Sequence, residues 1–289
     1  MGNIIDGKNV ARNLYDQLKE KIDRLKESGK SITLAVVKVG DDAASEIYVS
    51  NKKKICEKIG INSRIFTFPP DIKEDKVLDL IQILNEDPEI NGILVQLPLP
   101  KQLNERKIIE NIAPNKDVDA FSYINVGRFV VDSSIKEALL PCTPAGIMRL
   151  LDFEDIDLSG KHCVIINRSN IVGKPLAMLM VQRDATVTIC HSKTRNLNDI
   201  CKTADIIVSA VGRRNFITKD MVKEGAILID VGINRDSNGK VCGDVDFQSV
   251  KDVASFITPV PGGVGPMTIA MLMENTLKAA GAQSKSDEI

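Results

Sequence analysis

His162–Met180 reads H-C-V-I-I-N-R-S-N-I-V-G-K-P-L-A-M-L-M, and the fold turns on how that stretch changes character. His162 to Ile166 is an apolar run with the length and β-branched content of a buried strand. Leu176 to Met180 continues as a helix. Between them, Asn167-Arg168-Ser169-Asn170-Ile171-Val172-Gly173-Lys174-Pro175 forms a tight turn. Strand, turn and helix in that order make a nucleotide-binding unit, because free amide groups and the positive end of the helix dipole point at a phosphate. Only Gly173 remains of the usual glycine fingerprint, so the turn taken alone reads equally well as an ordinary strand-to-helix connection.

The next apolar run, Ala185 to Ile189, reads as the second strand of the unit. Such a strand normally ends in an acid that grips the ribose hydroxyls, but this one ends in Cys190-His191-Ser192-Lys193-Thr194. A tip with donors and no carboxylate accommodates a ribose phosphate and favours NADP over NAD, with Arg168 as a second clamp. The plainer alternative leaves His191 and Lys193 as solvated loop residues. Downstream, Asp205–Ser209 and Ala226–Asp230 are further strands, each followed by a glycine turn, Ala210-Val211-Gly212 and Val231-Gly232. Backbone at those turns suits a ribose or nicotinamide. The uncharged loop Thr258-Pro259-Val260-Pro261-Gly262-Gly263-Val264-Gly265-Pro266-Met267-Thr268 opens a final helix expected over 268–280, with a tail that frays from Ala282.

Upstream the same alternation appears. Val10, Leu14, Leu18, Ile22 and Leu25 recur at helical spacing over 8–28. Strands at 32–37, 63–68 and 92–97 alternate with helices at 43–58 and 73–85, which implies a parallel α/β sheet. Its ligand rim then holds Val39-Gly40 and Gln96-Leu97-Pro98-Leu99-Pro100 together. Within the helix after Gly40, Tyr48, Lys52, Ile55 and Ile59 share one face, while Lys53 and Lys54 turn away. Lys52 either snorkels to the surface or stays buried, and a buried amine gives up its proton readily enough to trade protons near neutral pH. Tyr48, one turn earlier, offers a flat ring. After a short helix over 104–111, Lys116-Asp117-Val118-Asp119-Ala120-Phe121 fits neither helix nor strand periodicity and reads as a solvated turn at its plainest. Thr143 is expected as the N-cap and Pro144 as the first residue of the following helix, with a domain boundary nearby.

Composition narrows the class. A chain of 289 residues that is 43% hydrophobic can fill one large core or two domains. A net charge of -1 makes no case for nucleic acid, and no apolar run approaches membrane-spanning length. With neither a basic region nor an apolar core at the start, the cytoplasm is the expected compartment. Two histidines, His162 and His191, and six cysteines without C-x-x-C pairing leave no expected metal site.

Tyr48-Val49-Ser50-Asn51-Lys52, Gly92 to Pro100, Lys116-Asp117-Val118-Asp119, Pro141-Cys142-Thr143-Pro144, Arg168 to Gly173 and Pro259 to Thr268 together resemble the bifunctional methylenetetrahydrofolate dehydrogenase/cyclohydrolase family over essentially the whole chain. The resemblance implies an α/β protein of two domains. A folate-binding catalytic domain over 1–143 would be joined by a returning helix at 268–289, and a Rossmann-type NADP domain would span 144–267. It implies a homodimer acting on tetrahydrofolate one-carbon derivatives, with a monofunctional NAD(P)-dependent dehydrogenase as the alternative and NAD as the alternative cofactor. By motif, Lys52 is the catalytic lysine with Gln96 beside it, Tyr48 packs over the folate and Asp119 binds the pterin. Leu97, Pro98, Pro261, Gly262 and Gly263 complete the substrate side. On the cofactor side the resemblance implies Asn167, Arg168, Ser169, Ile171, Val172 and Gly173, then His191 and Ser192, Ala210, Val211 and Gly212, Gly232 and Ile233, and Thr268. Two positions depart from the family, which usually has glycine where Asn167 and Ala120 stand. Asparagine can adopt the positive-φ turn that glycine serves, so the fold is kept, while the Asn167 side chain is expected to crowd the pyrophosphate side.

Overall fold

The computed structural model describes residues 2–131 and 138–286. The first half contains β1 (Asn3–Ile4), α1 (Gly7–Glu27), β2 (Thr33–Val39), α2 (Ala43–Ile59), β3 (Asn62–Phe68), α3 (Glu74–Glu86), β4 (Gly92–Val95), α4 (Glu105–Glu110) and α5 (Tyr123–Val131). The second half opens with α6 (Cys142–Phe153), β5 (His162–Ile166), α7 (Gly173–Val181), β6 (Thr186–Cys190), α8 (Leu197–Lys202), β7 (Ile206–Ser209) and β8 (Ile227–Asp230). It closes with β9 (Asn234–Arg235), β10 (Val241–Cys242), α9 (Phe247–Val250), β11 (Phe256–Ile257) and α10 (Val264–Ser286).

These elements form two compact units, Asn13–Leu140 with Leu272–Ile289, and Met1–Arg12 with Pro141–Met271. The expected division at 143 and 268 kept the N-terminal residues with the first half, whereas the structure groups Met1–Arg12 with the second. The reason is β1, which pairs in parallel with β11 through Asn3↔Phe256 and Ile4↔Ile257. A strand of two residues has no periodicity to read.

In the unit built on Asn13–Leu140 the sheet order is β3-β2-β4, all parallel. Every residue of β2 is buried, as a central parallel strand requires, and the run 33–39 is apolar apart from Thr33 and Lys38. Lys38 is accommodated by an ion pair with Glu46 of α2. Ala35, Val37 and Val39 pack with Val77, Ile81 and Leu84 of α3 in one core. α2 is fixed at both ends. Asp42 accepts the amide of Ser45 at 2.8 Å, and Gly60, at φ 89, returns its N–H to the Cys56 carbonyl. From Leu272 onward α10 lies in this unit, where Asn275 Nδ2 donates to the carbonyls of Val118 and Leu140, each at 2.8 Å.

The other unit carries a parallel sheet in the order β1-β11-β8-β7-β5-β6. β6 lies on one side of β5 and β7 on the other, so strand order reverses between β5 and β7. A ligand crevice belongs outside the carboxyl ends of strands at such a point. The register makes that edge level, with Cys190, Ile166, Ser209 and Asp230 in one row across β6, β5, β7 and β8. α6 begins at Cys142 behind Pro141, one residue before the expected cap, and Thr143 lies inside it. α10 begins at Val264 and runs to Ser286, so it is longer at both ends than the expected 268–280 and is helical where a frayed tail was expected, up to the last described residue.

Candidate active site

Lys52 stands on α2 at 9% exposure, so its stem does not snorkel to solvent. Its Nζ donates to Gln96 Oε1 at 2.9 Å across 44 residues of sequence. Gln96 is the first residue beyond β4, and its amide N–H still bonds the Val37 carbonyl at 2.8 Å. Its Nε2 donates to the Leu97 carbonyl at 2.7 Å, which turns Oε1 toward the lysine. The expected rim is present, since a Cβ on Gly40 would lie 3.6 Å from Pro70 and 3.9 Å from Pro100. Leu97–Pro98 is a cis peptide.

The neighbours of Lys52 separate reactive from inert groups. Tyr48, one turn earlier, is half-buried, and desolvation raises its phenol pKa, so it remains a neutral ring with a hydroxyl. Cys56, one turn later, lies 3.5 Å from Met273 Sδ, and burial pushes its thiol up to about 12. A thiol so fully protonated is no nucleophile.

The segment 116–121 is not a solvated turn. Lys116 is buried and its Nζ donates to the carbonyls of Leu84, Asn85 and Asp87, closing the end of α3, and desolvation lowers its pKa. Asp117, 1% exposed, accepts from Ser122 N at 2.9 Å and Asn125 Nδ2 at 3.0 Å. With its flanking residues anchored inward, Asp119 is the half-buried acid of the pair. Ala120 takes φ 57, the left-handed region its glycine alternative would favour.

In the other unit, residues expected at a cofactor gather along the level rim. Asn167, His191, Ala210 and Val231 each follow the last residue of β5, β6, β7 and β8. Gly173 admits no side chain, as a Cβ there would sit 2.1 Å from the Asn167 carbonyl oxygen. Asn167 does not use the left-handed backbone open to asparagine. Its side chain staples the turn. Oδ1 accepts from Ser169 N at 2.8 Å and Gly173 N at 3.1 Å, while Nδ2 donates to the Ala210 carbonyl at 2.6 Å. The amide therefore folds back onto the turn, and the side chain that was expected to crowd a phosphate instead joins the ends of β5 and β7.

Arg168, Ile171 and Ser192 are exposed, while Ser169 and Val172 are half-buried, with Ser169 Oγ accepting the Val172 amide. His191 Nδ1 accepts the Lys193 amide at 3.1 Å. Gly212 has φ 69, Ile233 is exposed and Gly232 is buried. Pro261, Gly262 and Gly263 leave β11 at the same edge, with the Gly262 carbonyl accepting Lys8 N and Gly263 N donating to the Pro259 carbonyl. Thr268 Oγ1 lies 3.0 Å from Thr143 Oγ1. A glycine cradle, a basic tip at Arg168 and no carboxylate at the end of β6 fit a phosphorylated dinucleotide.

Sequence reasoning missed Asp230 and Asp244, which lie beneath these turns at 3% and 0% exposure. The available signal was an acid ending each of two apolar stretches, Ile227-Leu228-Ile229-Asp230 and Val241-Cys242-Gly243-Asp244. Among the described residues, no group of three or more His, Cys, Asp or Glu is placed to hold a metal, and no helix is long and apolar enough to cross a membrane.

Residues 5–119 match the family model for the catalytic domain of tetrahydrofolate dehydrogenase/cyclohydrolase, and 141–284 match that for its NAD(P)-binding domain. The chain is 54% identical to the bifunctional protein FolD of Agathobacter rectalis over 279 residues, covering 96% of this chain and 99% of that one. It is similar to the crystal structure of the bifunctional FolD enzyme from Campylobacter jejuni, with a TM-score of 0.95 and 48% identity over 98% of this chain and 99% of that one. The Trypanosoma brucei dehydrogenase-cyclohydrolase, solved with NADP and an inhibitor, gives a TM-score of 0.94 at 33% identity, covering 98% of this chain and 99% of that one.

Proposed function

From the premise that this chain belongs to the tetrahydrofolate dehydrogenase/cyclohydrolase family, we propose that Lys52, Gln96 and Tyr48 are its catalytic group. The protein oxidises 5,10-methylenetetrahydrofolate to the 5,10-methenyl compound with NADP and hydrolyses that product to 10-formyltetrahydrofolate. The observation that carries the residue assignment is a lysine at 9% exposure with its amine 2.9 Å from Gln96 Oε1.

When bound, NADP supplies the hydride acceptor. Loss of hydride leaves a cationic one-carbon bridge that needs no base to form, so the first step asks the chain mainly for positioning. Water addition asks for more. A proton must leave the attacking water as its bond to the carbon forms, and N5 must gain one as its bond to that carbon breaks. Lys52 Nζ takes and returns these protons, held in place by Gln96. Tyr48 lies against the flat folate, with Leu97 and Pro98 on the substrate side of the same unit. Asp119 accepts from the pterin amino and ring N–H groups. The rim turns beginning at Asn167, His191, Ala210 and Gly232 hold the dinucleotide, together with Thr268, and Arg168 and Ser192 take its ribose phosphate. A dehydrogenase alone would have no use for the buried amine.

The same reading places a homodimer in the cytoplasm. β3 as the edge strand of its sheet among the described residues, with Ile65 38% exposed, supports association, and six cysteines outside any disulfide support a reducing compartment.

The test follows reduced cofactor and methenyl product separately, in wild type and in Lys52→Ala, with NADP and NAD in parallel. The variant is expected to bind folate and to accumulate methenyl product that decays only at the buffer rate, a loss of roughly 100-fold or more in hydrolysis. Normal hydrolysis in that variant would remove Lys52 from the mechanism.

A further inference from the structure

Asp244 follows β10 and returns beneath the carboxyl ends of β7 and β8. It is wholly buried, and its carboxylate accepts from five donors. Oδ2 takes Ser209 Oγ at 3.1 Å, Val211 N at 2.7 Å and Gly212 N at 3.3 Å. Oδ1 takes Arg213 N and Asn234 Nδ2, each at 2.9 Å. The amides of Val211, Gly212 and Arg213 are successive and converge on one point, the backbone nest that elsewhere encloses an anion. Here the anion is part of the chain.

The turn after β8 is set by the same group. A Cβ on Gly232 would meet Asp244 Oδ1 at 2.2 Å, so that backbone rests directly on the carboxylate. Asp230 holds the arrangement from below, accepting Gly232 N at 2.9 Å, Asp244 N at 3.0 Å and Val245 N at 2.9 Å. On the far side, Asn167 reaches the Ala210 carbonyl and connects the first rim turn to the second. No other side chain of this size accepts from so many donors at once, since an amide offers one oxygen in place of two.

We propose that Asp244 is the positioning residue of the dinucleotide site, locking Ala210–Arg213 to Gly232–Asn234 before NADP arrives. The inference rests on the reading of this rim as the cofactor site. Preorganised backbone spares binding the cost of ordering two loops, so the carboxylate acts on affinity without touching the ligand.

The test compares Asp244→Asn with Val250→Ala, a core truncation in α9 of the same unit, outside both turns and with none of their hydrogen bonds, at matched loss of melting temperature. NADP binding is measured by calorimetry and amide hydrogen exchange by mass spectrometry. Asp244→Asn is expected to raise the NADP Kd at least tenfold and to speed exchange at 211–213, with neither change in Val250→Ala. Equal Kd shifts in the two variants would reduce Asp244 to a general contributor to stability and overturn the proposal. Should Asp244→Asn fail to fold, Asn234→Ala removes one donor and keeps the carboxylate; a rise of about threefold supports the proposal, and no change overturns it. Wild-type protein that binds neither NADP nor NAD would overturn the site reading and this proposal with it, whereas wild-type binding with an unchanged constant in Asp244→Asn would overturn this proposal alone.

Discussion

Ala120 holds a backbone conformation that costs an L-residue about 1–2 kcal/mol. Replacing it with glycine would release that strain, yet glycine also adds about 0.4–1 kcal/mol of freedom to the unfolded chain and forfeits a buried methyl worth about 0.8 kcal/mol. The terms nearly cancel. Ala120→Gly is therefore expected to change unfolding free energy by less than about 1 kcal/mol in urea titration, which explains how alanine can stand where relatives of this type usually have glycine. Ala120→Val adds a β-branched side chain to a left-handed, fully buried position, and is expected to cost more than about 2 kcal/mol. A neutral valine variant would show that the backbone relaxes freely at this turn. The same scale shows why Lys52 could be found from sequence and Asp244 could not. An amine on an apolar helical face breaks a visible period, whereas an acid after a two-residue strand breaks none.

Elements of four or more residues with a clear period were legible. β2, β3, α3, β5 and β8 all fall within about two residues of their expected places, as do the glycine turns behind β7 and β8. What escaped was short or carried no period. β1, β11 and the β9–β10 hairpin have two residues per strand, and α5 follows a segment whose polar groups are satisfied by burial that only the tertiary fold reveals. Asp230 illustrates the gap, since its place at the end of β8 was plain and its partner two residues past β10 was not. Burial raises its pKa to about 6, with the Asp244 charge adding to that and three backbone amides opposing it. A folded-state value above the unfolded one means that this group's contribution to stability is full below about pH 4 and is lost as pH rises through about 6. The loss amounts to roughly 3 kcal/mol at most. Asp230→Asn has no such titration, so its stability relative to wild type is expected to improve as pH is raised from 4 to 7, whatever its offset from lost hydrogen bonds. Denaturant unfolding at several pH values measures this, and a constant difference would mean that the carboxyl titrates normally.

At the scale of the molecule, the chain leaves and re-enters its two units inside helices, at Arg12/Asn13 in α1 and Met271/Leu272 in α10, and once between helices at Leu140/Pro141. That is why a boundary near 143 was legible from Pro141-Cys142-Thr143-Pro144, whereas the return expected at 268 came from the family resemblance alone and the crossing in α1 was missed, because a helix carries its period straight through such points. Association is the remaining property of the whole molecule. Sedimentation velocity is expected to give twice the chain mass at micromolar concentration, and a single-chain mass would retire the homodimer. The distribution of sulfur has a use beyond the chemistry. Five of the six thiols are buried, and Cys56, Cys163 and Cys201 are pushed up to about 12, which leaves the half-buried Cys242 as the natural point of attack for an alkylating dye. It sits two residues before Asp244, on the strand that leads to the turns proposed to hold the cofactor, so a fluorophore attached there without any mutation is expected to change its emission when NADP is added if that proposal holds.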